Sequence, residues 1–196
     1  MRVGFLLSTA IARQGAALAA IACTAVIGGY TADLSQAVQL RDGKVYFVQP
    51  PSLGDVVTTY KETYVWGATY YFTISLPENA GEPLQRITIN QREGVDRVRF
   101  DLKDTSAFEG TRSKEGQKLA LKDATSDRKT KTISLTFDPP VSPGRTITIA
   151  LKPVQNPQVA GVYLFGVTAF PPGEQAHGQF LGYGRLQFYN FGPRFF

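Results

Sequence analysis

The chain has almost none of the side chains on which hydrolytic and metal chemistry depends. Its 196 residues contain one cysteine, Cys23, and one histidine, His177. Serine and cysteine nucleophiles need a base beside them, usually histidine, and no Gly-x-Ser-x-Gly motif is present. The sequence also has no phosphate-binding glycine loop and no calcium-binding loop. We therefore predict that the protein is not an enzyme and that it carries no cofactor.

Charge of one sign is not concentrated anywhere in the chain. Beyond residue 37 there are 19 basic and 15 acidic side chains, which gives a net charge of +4. The closest basic grouping is Arg86, Arg92, Arg97 and Arg99, and other residue types separate its members. Nucleic-acid binding requires a concentrated basic stripe. These charges therefore predict a solvated basic face and no nucleic-acid partner.

The first 37 residues have the composition of an export signal. Arg2 and Arg13 are the only basic residues in this segment, residues 15–29 are apolar or small throughout, and the segment ends in SQA. A basic start, an apolar centre and small residues before a cleavage point are the parts of a secretory signal peptide. We predict a signal peptide over residues 1–37 and a single domain over residues 38–196. The protein is then exported to the periplasm or cell envelope, with the thylakoid lumen and the medium as alternatives.

Two other fates of this segment fit its sequence. The 18 residues 15–32 are just long enough to span a bilayer, so a retained membrane anchor is one alternative. Cys23 follows Ala-Ile-Ala, which loosely fits a lipoprotein cleavage box without its usual leucine, so lipidation of Cys23 is the other. If the chain is cut after Ala37, the mature domain has no cysteine and depends on its core alone for stability. Membrane contact is expected only if the segment is retained.

Beyond residue 37 the chain reads as short alternating segments separated by proline, glycine and aspartate. In residues 68–76, Tyr70, Phe72 and Leu76 share one face, and threonine and serine occupy the other. No segment has a convincing helical period, although residues 104–115 allow a short helical turn. The pattern predicts an all-β, immunoglobulin-like antiparallel β-sandwich of about 8–10 strands. The predicted strands are 44–49, 56–60, 68–76, 84–91, 95–102, 117–124, 130–137, 145–152, 162–170 and 180–189.

Residues 161–191 are rich in glycine and aromatic residues, which raises the question of a binding site. Residues 162–170 are apolar on both faces, which is typical of a central or covered strand. Gly166, Gly182 and Gly184 lie inside the two predicted strands, where glycine marks a bulge, a bend, or a ring packed close to the backbone. We favour a core hairpin with its glycines under packed rings. The alternative is an aromatic platform for a ligand.

Four blocks of the sequence are distinctive, namely VWGATYYFTISLPENAGEPLQRITINQREGVDRVRFDL, LTFDPPVSPGRTITIALKPVQNP, GVYLFGVTAFPPGE and GQFLGYGRLQFY. Together they resemble a family of exported cyanobacterial proteins known as domain of unknown function 2808. The resemblance extends from Val45 to Tyr189. It implies a cyanobacterial source and export, and it implies no activity and no catalytic residues.

The last hairpin has a looser likeness to periplasmic copper-binding sandwiches of the CopC type. The likeness is limited to Gly161-Val162-Tyr163 and to the stretch from His177 to Phe180. It implies metal handling, with copper as the ion, as an alternative function. His177 is then the candidate ligand, although CopC-type proteins use several histidines or an N-terminal histidine and this chain has one.

The leading functional prediction is a non-catalytic binding or structural module of the cell envelope. Its partner would be an envelope protein or a cell-wall polymer, bound at a sheet edge or by the loops at one end of the sandwich. Because Trp66 precedes a strong strand, we interpret it as a core plug; a sugar-stacking ring exposed beside Tyr60 or Tyr64 is the alternative. The candidate partner-binding residues are Trp66, Glu78, Asn79, Arg92, Glu93 and Arg97.

A carboxylate-based hydrolase that acts on wall polymers is a further alternative. Glu93, Asp96, Asp101 and Asp104 are close in sequence, and glycoside hydrolysis uses a pair of carboxylates. Basic residues alternate with these acids, a pattern typical of solvated salt bridges on the outer face of a sheet. The hydrolase alternative therefore requires these carboxylates to share a cleft.

Overall fold

The computed structural model describes residues 44–190 and residue 192. The predicted signal peptide over residues 1–37, the alternative of a retained anchor and the lipidation of Cys23 lie outside the described residues. In the part of the chain that the structure describes, no helix is long and apolar enough to cross a bilayer.

The described residues form two antiparallel sheets of five strands each, which confirms the predicted all-β sandwich. The strands are β1 (Ser52–Thr58), β2 (Tyr70–Ser75), β3 (Leu84–Glu93), β4 (Phe100–Thr111), β5 (Lys114–Leu119), β6 (Leu121–Asp127), β7 (Thr132–Val141), β8 (Thr146–Pro153), β9 (Gly161–Phe170) and β10 (Gln179–Phe188). The first sheet has the order β1-β2-β8-β4-β5, and the second has the order β10-β9-β3-β7-β6. Alternating apolar positions let each inner strand bury one face against the opposite sheet.

The strand order is that of an immunoglobulin-like domain with an insertion. Such domains place their strands in the orders A-B-E-D and G-F-C. Here β1, β2, β8 and β4 follow the first order, and β10, β9 and β3 follow the second. The strands β5, β6 and β7 are inserted between the fourth and fifth positions of that scheme. The predicted immunoglobulin-like class is confirmed, with ten strands.

The core lies between the sheets and is centred on aromatic rings. The Tyr70 ring lies 5.6 Å from Phe100, 6.2 Å from Phe165 and 5.7 Å from Phe188, measured between ring centroids. Such contacts add about 0.5–1.5 kcal/mol per pair to the free energy of burial. Tyr70, Phe72 and Leu76, which alternation placed on one face, are buried. The same core contains the alternating apolar residues of other strands, namely Ile74, Ile87, Ile89, Ile133, Leu135, Phe137, Ile147, Ile149 and Leu151.

The strand predicted over residues 44–49 and the first part of the strand predicted over residues 95–102 are wrong. Residues 44–49 form no strand and contribute a single bridge, between Val45 and Ala176. The first strand begins instead at Ser52, directly after two prolines that have no N–H to donate to a ladder. Residues 95–99 belong to a loop, because the fourth strand begins at Phe100.

The fourth strand and the insertion differ most from prediction. Residues 104–115, where a helical turn was allowed, form the end of β4, a turn at residues 112–113 and the start of β5, because β4 pairs with both β8 and β5. The predicted strand 117–124 is divided at Ala120 into β5 and β6, which belong to different sheets. The predicted strand 130–137 ends too early, since β7 continues through a cis Asp138–Pro139 peptide to Val141.

Strand register defines two ends of the sandwich, each named here after one residue. The Trp66 end contains the loops of residues 59–69, 94–99, 128–131 and 154–160. The His177 end contains the loops of residues 76–83, 142–145 and 171–178.

Glu82, at the His177 end, is buried, and within the described residues its Oε1 has no hydrogen-bond partner. Burial raises the pKa of Glu82 above its ordinary value. The stabilising contribution of the protonated form is therefore present below the ordinary pKa and is lost as the pH rises through the raised pKa. We expect Glu82→Gln to raise the free energy of unfolding by about 1 kcal/mol at pH 7.5.

The same substitution should have almost no effect near about pH 3.5, where Glu82 is largely protonated in both folded and unfolded chains. Urea unfolding at the two pH values measures the difference. An equal change in stability at both would contradict the assignment of the effect to ionisation of Glu82.

Candidate functional site

A groove of ≈ 870 Å³ crosses the outer face of the second sheet. Strand pairing places Asn90, Gly166 and Tyr183 in one row across β3, β9 and β10. The neighbouring row pairs Thr168 of β9 with Phe180 of β10. The turn of residues 128–131, between β6 and β7, closes the opposite side. The groove therefore runs across the strands rather than along one of them.

Two exposed aromatic rings form the β10 side of the groove. The Phe180 and Tyr183 rings are 48% and 54% exposed and meet edge to face, with centroids 5.0 Å apart. A Cβ at Gly166 would lie 3.3 Å from Phe180 Cε2 and 3.5 Å from Tyr183 Cε1, so a glycine on β9 lets both rings lie close to the backbone. Gly182 has a φ of 131° at a break in the strand register, which re-aims the side chains around it.

Three cationic side chains also line the groove, and one of them, Arg92, lies beside the rings, with its Cγ 3.4 Å from the position of a Cβ at Gly166. Arg92 stands at the end of β3, and Lys129 and Lys131 belong to the 128–131 turn. All three are exposed, and no carboxylate is among the groove-lining residues. The nearby Asp127 carboxylate accepts the backbone N–H of Lys129 at 2.7 Å, and this bond lowers the pKa of Asp127, so it stays ionised as a fixed part of the turn.

Hydrogen bonds from β3 hold the basic turn in place. Asn90 donates through Nδ2 to the carbonyl of Thr130 and to Thr132 Oγ1, the latter at 2.9 Å. The N–H of the buried Gln91 donates to the carbonyl of Lys131 at 3.1 Å. Because the turn is tied to the same strand that forms the groove floor, its lysines are held beside the groove.

The prediction of a core hairpin is half right. Tyr163, Phe165 and Phe188 are buried between the sheets, as a core hairpin requires. The glycine under packed rings is also found, but the rings over Gly166 belong to Phe180 and Tyr183 and face solvent. The outer face of the same two strands therefore carries the exposed aromatic rings that the alternative, an aromatic platform, requires.

The structure does not bring the six predicted partner-binding residues together. Arg92 lines the groove, and Glu93 follows it, exposed, at the end of β3. Arg97 lines a separate cleft of ≈ 400 Å³ at the Trp66 end. Glu78 and Asn79 lie in the 76–83 loop at the opposite end of the sandwich.

Trp66 is 67% exposed, so its interpretation as a core plug is wrong. The backbone of the 59–69 loop is hydrogen-bonded on one side to residues 156–157 and on the other to Tyr189, which holds the loop over the end of the sandwich. Tyr60 and Tyr64 are also exposed there, at 49% and 55%. The exposure that a sugar-stacking ring requires is therefore present at Trp66, on a surface distinct from the groove.

The four carboxylates of the hydrolase alternative are engaged separately. Asp96 Oδ2 accepts two backbone N–H groups of the β8–β9 loop, at 2.6 and 2.8 Å. Asp101 Oδ1 accepts a backbone N–H two residues further on, and Asp104 lies 3.6 Å from Lys152 Nζ. Of the four, Asp96 alone lines the ≈ 400 Å³ cleft, and Glu93 is exposed on β3. The arrangement offers no paired carboxylates in a shared cleft.

His177, the candidate metal ligand, is exposed in the 171–178 loop. Its backbone N–H donates to the carbonyl of Val45 at 2.9 Å, and its ring lies 4.7 Å from the Tyr46 ring. Across residues 44–190 and residue 192, no three His, Cys, Asp or Glu side chains are grouped as metal ligands. Among the described residues, His177 is therefore not part of a group of three such ligands.

Sequence reasoning missed Lys129, Lys131 and Phe180. Lys129 stands between the predicted strands 117–124 and 130–137, Lys131 falls inside the second of them, and Phe180 was assigned to the last hairpin as a whole. The available signal was Gly166 in the middle of an otherwise apolar strand. It marks a close approach to the backbone without saying which rings approach.

The strand order identifies the protein as an immunoglobulin-like β-sandwich. The groove lies on the outer face of its second sheet. The chain belongs to the family described as "Protein of unknown function (DUF2808)", whose model matches residues 44–188. This match confirms the family resemblance read from the four sequence blocks. Comparison with curated proteins gives no match.

Comparison with solved structures matches the chain to domains of bacterial proteins, at TM-scores below 0.5. The collagen-binding domain of a Staphylococcus aureus adhesin is 10% identical, with a TM-score of 0.37 over 70% of this chain and 98% of that domain. The bacterial hydrophobin BslA is 14% identical, with a TM-score of 0.40 over 72% of this chain and 99% of that one. The C-terminal domain of the Streptococcus agalactiae AgI/II polypeptide BspA is 15% identical, with a TM-score of 0.41 over 69% of this chain and 49% of that one. Likeness at this level transfers no ligand and no activity.

Proposed function

We propose that this protein is a non-catalytic binding module of the cell envelope that holds a glycan in the groove. The observation that carries the proposal is the exposed aromatic pair Phe180–Tyr183 over Gly166, facing hydrogen-bonding and cationic side chains across one concave surface. Concave sites with a few convergent polar groups and aromatic walls are the usual form of ligand sites. The envelope location follows from the predicted export signal.

The position of the groove favours a sugar over a peptide. On the face of a sheet, the backbone N–H and C=O groups of β9 and β3 already pair with their neighbours on both sides. An extended peptide binds sheets mainly by adding a strand at a free edge. A ligand on the face must be recognised by stacking, side-chain hydrogen bonds and charge, and sugar rings with their hydroxyl groups use the first two.

The test is electrophoresis of the purified protein through native gels that contain extracted envelope polysaccharide. We expect the wild-type protein to be retarded and Tyr183→Ala to lose about tenfold or more in affinity, because exposed aromatic anchors contribute a large share of binding energy. Because Tyr183 is exposed, the unfolding midpoint of the Tyr183→Ala protein should differ little from that of the wild type.

Trp66→Ala is the matched control, since it removes an equally exposed ring at the end of the sandwich and leaves the groove unchanged. Retardation that survives Tyr183→Ala and disappears with Trp66→Ala would place binding at the Trp66 end. A wild-type protein that no envelope polysaccharide retards would contradict the proposed function.

A further inference from the structure

We infer that the groove selects an anionic polysaccharide, with a sugar ring against the aromatic pair and an acidic group, carboxylate or phosphate, beside the basic turn. This inference rests on the proposed function and adds the charge of the ligand and its orientation. It follows from the arrangement of the cationic side chains: Arg92 lies beside the aromatic pair over Gly166, and Lys129 and Lys131 stand across the groove in the 128–131 turn.

The cations of the groove are available to a ligand. The ion pairs within the described residues join Arg145 to Glu109 and Lys152 to Asp104, on the other sheet. Within the same residues, Arg92, Lys129 and Lys131 therefore have no ion-pair partner. Like charges grouped without partners repel one another, and an anion in the groove would remove that repulsion.

The fixed geometry of the turn supports a binding role for its lysines. Lys131 has a φ of 54°, in the left-handed region that lysine adopts at some cost. The bond from the Gln91 N–H to the Lys131 carbonyl and the Asp127 cap hold this conformation. The backbone at both lysines is thereby fixed before a ligand arrives, which reduces the backbone part of the ordering cost of binding.

The width of the groove sets the minimum size of the ligand. From Tyr183 on β10, the row passes through Gly166 and Asn90 to Thr132 on β7, which is three strand spacings or roughly 14 Å. A free inorganic anion cannot contact the rings and the lysines together. A chain of sugars that carries an acidic group a few ångströms from a stacked ring can do so.

Nucleic acid also combines rings with anionic groups, but the groove suits it less well. Single-stranded nucleic acid is bound by aromatic rings on which successive bases stack, together with a basic groove along the backbone. Here Phe180 and Tyr183 meet edge to face, so they do not form two parallel stacking surfaces. Single-stranded DNA is therefore a comparison ligand in the test.

The test is titration calorimetry of the purified protein with oligosaccharides of equal length: a uronate oligomer, a phosphorylated oligomer and a neutral oligomer. We expect an acidic oligomer to bind more tightly than the neutral one, and its affinity to fall as NaCl is raised from about 50 to 500 mM. The two acidic probes distinguish a carboxylate ligand from a phosphate ligand. We expect the double variant Lys129→Gln with Lys131→Gln to weaken acidic binding about tenfold and to flatten its salt dependence.

Lys114→Gln with Lys118→Gln, on the exposed strand β5 of the other sheet, removes the same charge and should leave binding unchanged. If neutral and acidic oligomers bind with equal affinity and that affinity does not depend on salt, the inference about the charge of the ligand is overturned. The proposed glycan-binding function would still stand. Single-stranded DNA bound as tightly as the acidic oligomers would also overturn it, because the groove would then be a general polyanion surface. Binding of no oligosaccharide at all would remove the proposed function itself.

Discussion

Replacing Gly94 with alanine is expected to lower the free energy of unfolding by about 3–5 kcal/mol. Gly94 has a φ of +129°, where an L side chain costs about 1–3 kcal/mol. A Cβ at this position would lie 2.2 Å from Tyr163 Cδ1 and 2.6 Å from Tyr163 Cε1. Forcing extra atoms into a packed core costs a further 1–3 kcal/mol, roughly.

The Tyr163 ring cannot move aside to make room. It is fully buried and meets Phe188 edge to face, with ring centroids 5.4 Å apart. Its hydroxyl donates to the carbonyl of Val159 at 2.9 Å and accepts the backbone N–H of Asp96 at 3.3 Å. A displaced ring would therefore break two hydrogen bonds that join the 94–99 and 154–160 loops.

Gly67→Ala separates the cost of the clash from the cost of the backbone conformation. Gly67 has a φ of +76°, and a Cβ there would meet nothing within 4 Å. We expect this variant to lose about 1–2 kcal/mol, the cost of the left-handed conformation alone. Urea unfolding with unchanged slopes measures both values. Equal losses in the two variants would show that the Tyr163 contact contributes nothing.

Asn156→Ala is expected to lower the free energy of unfolding by about 3–5 kcal/mol and to loosen the 59–69 loop. Asn156 is 2% exposed, and its Nδ2 donates to the carbonyls of Tyr60 and Glu62 at 3.1 and 2.9 Å. Its Oδ1 accepts the hydroxyl of the buried Tyr70 at 3.0 Å. Alanine would leave the Tyr70 hydroxyl and the Glu62 carbonyl without partners, and each such group costs about 1–3 kcal/mol when no water reaches it. The Tyr60 carbonyl would lose one of its two bonds and keep the one from Thr58 Oγ1.

Tyr70→Phe is the matched variant, because it removes the donor and keeps both bonds to the loop. Burial raises the pKa of Tyr70 above its ordinary value, so the hydroxyl remains a donor throughout the accessible pH range. We expect this variant to lose about 1–2 kcal/mol. Adding Asn156→Ala to it should cost at least about 1 kcal/mol less than in the wild type, since no hydroxyl is then left without a partner. Strict additivity in urea unfolding would contradict the bond between the two side chains.

The second expected effect of Asn156→Ala concerns the exposed rings of the Trp66 end. The same two Asn156 bonds fix the carbonyls on either side of Lys61, close to Tyr60 and Tyr64. Faster amide hydrogen exchange confined to residues 59–69 in the variant would show this loosening. Unchanged exchange there would mean that the backbone bonds to residues 156–157 and Tyr189 hold the loop without Asn156.

The class of fold and most of the core could be read from the sequence. Alternation at Tyr70, Phe72 and Ile74 identifies a strand and its buried face, because successive side chains point to opposite sides. The same reasoning failed in the fourth strand and the insertion, where residues 104–115 have a weak pattern and form strands through the pairing of β4 with β8 and β5. It also failed at Trp66, because a large apolar side chain predicts burial and hydrogen bonds of the loop backbone keep this one outside.

The candidate site could be read only in part. Arg92 was named, and Gly166 marked a close approach of rings, but three of the groups that form the groove stand far apart in the chain. Tyr183 and the lysines of the 128–131 turn are separated by more than fifty residues. They meet across one surface because β9 and β3 lie between them in the sheet order.

The sequence by itself determined an all-β sandwich, its buried faces and its family, since period-two alternation and sequence blocks are local properties of a chain. The tertiary structure decided which outer face carries a groove. That outcome depends on strand order and register, which result from packing two sheets together and leave little trace in the order of residues. The same packing separated Glu78 and Asn79 from Arg92, and it brought Lys131 and Tyr183 to opposite sides of the same groove.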